Sequence, residues 1–120
     1  MEARAKQTYI RISPRKMRIV ADAVRGKKVT EAIDTLHFLP QKATRFIQRT
    51  IESAYANLHD QNQDQRIDDD ALIVKTIFVD EAPVFKRYQP VSRGRAHPIL
   101  KRQSHLTVVI GTPEGVTEDE

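Results

Sequence analysis

The sequence predicts an α+β fold: three helices packed on a small antiparallel sheet, with a long protruding β-hairpin. Three observations carry that reading. Apolar residues recur at helical spacing in three stretches of the first half, and two runs rich in β-branched residues stand in the second half. Between those two runs lies a basic, proline-punctuated stretch with hardly a core-forming residue. At 120 residues the chain has the length of one domain with one hydrophobic core.

The first helix is announced by Ser13-Pro14, a capping residue followed by proline at the first helical position. Met17, Val20, Ala21 and Val24 then recur at helical spacing and Gly26 supplies a stop, so the helix is expected over 14–25. Thr30 is expected to cap a short second helix whose Ala32, Ile33 and Leu36 form one stripe and which ends before Pro40. The third helix is the clearest. Over 42–58, Ala43, Phe46, Ile47, Thr50, Ile51, Ala54, Tyr55 and Leu58 mark a single core-facing side across four turns.

Residues 72–79 and 106–110 are dense in β-branched and aromatic side chains and are expected to pair as antiparallel strands. Between them, residues 80–105 contain Pro83, Pro90 and Pro98 and one glycine. A stretch that long without packed structure belongs in a small domain only if it projects outward. With a turn near Val91 to Gly94, ten residues per arm at roughly 3.3 Å each reach about 30 Å from the body. The chain is thus divided into a body, 1–79 and 106–112, an inserted hairpin, 80–105, and a frayed acidic tail, 113–120.

Charge is segregated along the chain. The net charge is +4 and the isoelectric point about 9.6, which favours polyanionic partners. Residues 1–49 carry twelve basic side chains against four acids, while residues 82–104 carry Lys86, Arg87, Arg93, Arg95, Lys101 and Arg102 with no acid at all. An isolated two-stranded ribbon is marginal in water, and six like charges make it less stable, so an anionic partner is expected to hold it. RNA suits this role, because each cation placed on a phosphate releases condensed counterions and arginine also pairs bidentately or stacks on unpaired bases. Tyr88 is read two ways, stacking on a base or packing across the ribbon.

Other chemistries find little support. Asp68, Asp69 and Asp70 on an extended chain point to alternating sides, and no second set of ligands completes a metal site, so they read as a solvated acidic loop rather than a nuclease centre. The four histidines lack metal-ligand spacing, and without cysteine neither disulfides nor thiolate sites are available. No apolar run approaches the roughly 20 residues of a membrane span, and the N-terminus lacks a signal-peptide core, so the chain is expected to be soluble and intracellular.

The run Val79-Asp80-Glu81-Ala82-Pro83, followed by Lys86-Arg87, Pro90, Gly94-Arg95-Ala96, Lys101-Arg102 and Ser104-His105-Leu106-Thr107-Val108-Val109, resembles the ribosomal protein L22 (uL22) family. So do Ile12-Ser13-Pro14-Arg15-Lys16-Met17-Arg18 with Val20-Ala21-Asp22 and Arg25-Gly26-Lys27, and Glu52-Ser53-Ala54 with Ala56-Asn57. The three blocks keep the family's order and together cover nearly the whole chain. Two positions depart from its pattern: Val91 stands where a basic residue usually follows the tip proline, and Ala82 where glycine is common.

The resemblance implies a cytoplasmic, non-enzymatic constituent of the large (50S) ribosomal subunit, with no cofactor, no membrane and no homo-oligomer. Its body is implied to rest on 23S rRNA near the exit of the peptide tunnel and to support assembly. Its hairpin is implied to line the tunnel beside ribosomal protein L4, close to where macrolides bind, and to meet the nascent peptide at its tip. Carried over position by position, Lys86, Arg87, Arg93, Arg95, Lys101, Arg102, Ser104 and His105 are hairpin contacts to rRNA, with Tyr88 and Gly94 beside them. Arg15, Lys16, Arg18, Arg25, Lys27 and Lys28 are contacts from the body, joined by Arg11. The alternative is a freestanding RNA-binding chaperone or regulator, which would pay for ordering the finger at every binding event.

Overall fold

The computed structural model describes residues 2–63, 69–90 and 96–112, with backbone alone over 85–90 and 96–100. In chain order the elements are β1 (Glu2–Ile10), α1 (Pro14–Val24), α2 (Val29–Phe38), α3 (Ala43–Gln61), a 3₁₀ turn (Asp69–Ala71), β2 (Ile73–Pro90) and β3 (Ala96–Gly111). The turn expected near Val91 to Gly94, the aspartate Asp68 and the tail 113–120 lie outside the described residues.

The sheet has the order β1-β3-β2, with both outer strands antiparallel to β3. The two expected strands do pair as antiparallel neighbours, and they run on as the arms of a single long hairpin, in register from Ile73 opposite Gly111 out to Pro90 opposite Ala96. Pro83 falls within the register shift between Ala82 and Phe85, where a residue without an N–H interrupts no ladder bond.

The helices cover one face of the sheet. Met17, Val20, Ala21 and Val24 of α1 and Ile47, Ile51, Ala54 and Leu58 of α3 are buried against Val74 and Ile77 of β2 and Leu106, Val108 and Ile110 of β3. That alternation on β3, one residue in two facing the helices, is the period of a strand with one covered face. Beyond this core the structure stretches to 72 × 27 × 23 Å.

Four local expectations are corrected. Strand β1 adds an element that the sequence reading left unassigned; it is held by Ala3 and Ala5, buried side chains too small to announce a strand. Helix α2 starts at Val29 with Lys28, not Thr30, at its N-cap: the Lys28 carbonyl already accepts the Ala32 N–H (2.8 Å), while the Val29 N–H is satisfied by the Leu72 carbonyl (3.0 Å). Helix α3 runs to Gln61, and Ser13, though at the N-cap of α1, receives the Met17 N–H on its carbonyl (3.1 Å) and makes no side-chain cap.

One free edge of the sheet is closed by the chain just after α1. Gly26 adopts a left-handed φ of 79°, turning the chain so that its N–H donates to the Val74 carbonyl (3.0 Å) while the Val74 N–H donates to the Lys27 carbonyl (2.9 Å). A register shift between Val74 and Thr76 then changes which carbonyls face outward. Past it, the Arg25 guanidinium donates to the Ile77 carbonyl (2.8 Å) and Arg18 to the Val79 carbonyl (2.9 Å).

Candidate nucleic-acid interface

Where the finger leaves the body, a cleft of about 780 Å³ opens between the loop after β1, the start of α1, the start of α3 and the root of β3. Arg11, Lys16, Lys42, Lys101 and Arg102 line it, and among its described lining residues there is no carboxylate. Ile12 and Ile19 supply an apolar floor, with Ile19 58% exposed although it is a large aliphatic side chain. Five cations so close together repel one another, and an anion relieves that repulsion.

Two helix starts reinforce the field. Ser13 and Lys16 come from the first turn region of α1, and Gln41, Lys42 and Ala43 from that of α3. Neither helix has a side-chain cap or an acidic residue in its first turn, so the positive ends of both macrodipoles remain unopposed by their own side chains.

Two hydrogen bonds, one buried and one partly buried, fix the wall of this cleft. The Ser104 hydroxyl donates to the Ile12 carbonyl (2.6 Å), tying β3 to the loop after β1. The Gln103 amide donates to the Pro83 carbonyl (2.9 Å), tying the two arms together at the root.

The cleft brings together Arg11, Lys16, Lys101 and Arg102 of the expected contacts. Arg15 is exposed on the first turn of α1, and Lys28 is exposed where its backbone bridges to Ile73. Lys27 is exposed and its ammonium donates to Thr35 Oγ1 (3.3 Å). Arg18 and Arg25 hold the β2 edge, and Arg25 also pairs with Asp22. Ser104 is fully buried, with its side chain inside the body. His105 is half-buried, with Nδ1 accepting the Tyr9 N–H (3.1 Å), which fixes the other ring nitrogen as the one bearing hydrogen in the neutral imidazole.

On the finger, Lys86, Arg87 and Tyr88 occupy register positions opposite Leu100, Ile99 and Pro98. Arg93, Gly94 and Arg95 lie outside the described residues. Sequence reasoning missed Lys42, Gln41 and Ile19 as cleft residues. Pro40 signals that a new element starts at Lys42, but nothing local says that this start abuts the root of the finger.

At the opposite end of α3 sits a small polar cluster. The rings of Tyr55 and His59 meet edge to face at 4.4 Å, and His59 Nε2 lies 3.6 Å from Asp69 Oδ1. Burial, and then the hydrogen bond to Asp69 and its negative charge, push the Tyr55 phenol above its ordinary pKa of 10.0. The cluster pins the 3₁₀ turn to the helix, and among the described residues no group of three or more acids and histidines is arranged to hold a metal.

Comparison with known proteins agrees with this geometry. The family model for Ribosomal protein L22p/L17e matches residues 5–111. The chain is 54% identical to the large ribosomal subunit protein uL22 of Roseiflexus sp. (strain RS-1), over 95% of this chain and 98% of that one. It is 53% identical to the uL22 of Desulfotalea psychrophila, over 92% and 97% of the two chains, and 48% identical to that of Salinibacter ruber, over 99% and 98%. A family model that covers nearly the whole chain, with full-length relatives at about half identity, places this protein in the Ribosomal protein L22p/L17e family.

Proposed function

We propose that this chain is a structural, non-catalytic constituent of the large ribosomal subunit, working in the cytoplasm and binding 23S rRNA. The observation that carries the reading is the five-cation cleft at the place where the finger leaves the core. A cleft built from two helix starts, a loop and a strand root, lined by five cations with no carboxylate among its described lining residues, recognises a shaped phosphate backbone.

The finger extends this grip into the RNA. We infer that it lines the peptide exit tunnel beside ribosomal protein L4 and meets the nascent chain at its tip, while the body supports folding of the rRNA during assembly. Family membership supports this placement, and so does the acid-free charge of residues 82–104.

Sedimentation provides the test. The protein is expected to travel with 50S particles through a high-salt wash, because threading between RNA segments survives the loss of surface ion pairing. Recovery in the soluble fraction would reject the ribosomal reading in favour of a freestanding RNA-binding protein.

A further inference from the structure

Tyr9 is held in a conformation that tyrosine rarely adopts. Its φ of 56° makes it the one non-glycine residue in the left-handed region among those described, and its side chain is 59% exposed. A bulky residue stays in that region only where its surroundings impose it. The register shift of β1 between Gln7 and Ile10 does so here, and two contacts from His105 hold the result: Nδ1 accepts the Tyr9 N–H at 3.1 Å, and the two rings meet at 89° with centroids 4.8 Å apart. A perpendicular neighbour covers at most one face of a ring. The rest of Tyr9 stays largely exposed, at a bend that brings Ile10 into the core but leaves this ring outside it.

The position of this ring gives it a use. Between Tyr9 and the cleft lies only the register pair Ile10 and Ser104, after which Arg11 in the loop after β1 and Gln103 on β3 already line the cleft wall. On the far side, the cross-strand neighbour of His105 is Asp80, whose charge disfavours phosphate there. Cations on one side and an acid on the other order a nucleotide, with the phosphate toward the cleft and the neutral base toward Tyr9. Aromatic faces accept unpaired bases regardless of sequence.

We propose that Tyr9 is a stacking platform for an unpaired RNA base whose backbone occupies the neighbouring basic cleft, an inference that rests on the cleft binding RNA. The full-length protein is titrated against two RNA stems of the same sequence, one fully paired and one with a single bulged aminopurine, whose fluorescence falls on stacking. Wild type is expected to quench the bulged probe and to bind it about tenfold tighter than the paired stem. Tyr9→Phe keeps both properties.

Tyr9→Gly loses the quench and the preference while binding the paired stem as before. Glycine takes a φ of 56° without strain, and circular dichroism checks that the fold is kept, so the loss reports the ring itself. Equal affinity of wild type for the two stems, or a Tyr9→Gly protein that keeps the preference, overturns the platform and leaves RNA binding by the cleft intact. Binding to neither stem removes both readings.

Discussion

Ser104 and His105 are adjacent in the sequence, and the family resemblance marks both as RNA contacts. The structure separates them: Ser104 is buried with its hydroxyl on the Ile12 carbonyl, whereas His105 stays half-buried against Tyr9. The difference depends on where β1 and its loop cross β3, which no local pattern encodes. The left-handed φ of Tyr9 is equally invisible, since that conformation is read from glycine or asparagine and not from an aromatic residue. Tyr55 carries a measurable consequence. Its folded-state pKa is raised, so the stabilisation from the neutral phenol is complete below the unfolded value of 10.0 and is lost as pH rises through the higher folded value. In alkaline titrations followed by urea denaturation, the stability difference between wild type and Tyr55→Phe should be constant through neutral pH and shrink above about pH 10. A difference that grows with pH would show that the phenol is not protected by Asp69.

At the scale of elements, the helices were legible because their apolar stripes match their period, and α1 and α3 form within a few residues of where punctuation puts them. Strand β1 was not legible, because Ala3 and Ala5 bury little area and Arg4 and Lys6 dominate the local composition. The true length of β2 and β3 was hidden by prolines, of which Pro83 falls in a register shift while Pro90 and Pro98 take places in the ladder opposite Ala96 and Tyr88. Arg18 and Arg25, expected as RNA contacts, also donate to outward carbonyls of β2, a role that basic charge in the sequence does not announce. An open edge invites pairing with another chain, and this one is closed by a glycine turn and two guanidinium groups. Gly26→Ala tests the turn: its new Cβ meets nothing within 4 Å, so only backbone strain acts, and the expected loss is about 1–2 kcal/mol in chemical denaturation. A neutral result would mean that the turn relaxes without cost. Losing Arg18 and Arg25 together should cost roughly 1 kcal/mol for each hydrogen bond, discounted for their exposure, and should raise self-association measured by light scattering.

At the scale of the whole molecule, the radius of gyration is 18.1 Å, against about 14 Å for a compact chain of this length. The excess is the finger, which the sequence revealed through a negative signal: a basic stretch with nothing to bury. The position of the cleft was less legible, because it joins Arg11, Lys42 and Arg102 from three distant parts of the chain. Since the core closes around Leu106, Val108, Ile110, Val74 and Ile77, the body is expected to fold without the outer finger. Joining Phe85 to Lys101, which face each other in register, through an Asn-Gly turn should leave the stability of the body within about 0.5 kcal/mol of wild type by urea denaturation. Loss of cooperative unfolding in the shortened chain would show that the finger takes part in the core.

Strand β3 has two duties that no other element shares, being both the middle of the sheet and one rail of the finger. A slip of one residue against β2 would turn Leu106, Val108 and Ile110 out to solvent, so the core rejects a ladder misaligned by one residue. The ribbon therefore inherits its alignment from hydrophobic packing at its base, and a newly made chain can offer RNA a correctly phased probe from the first encounter.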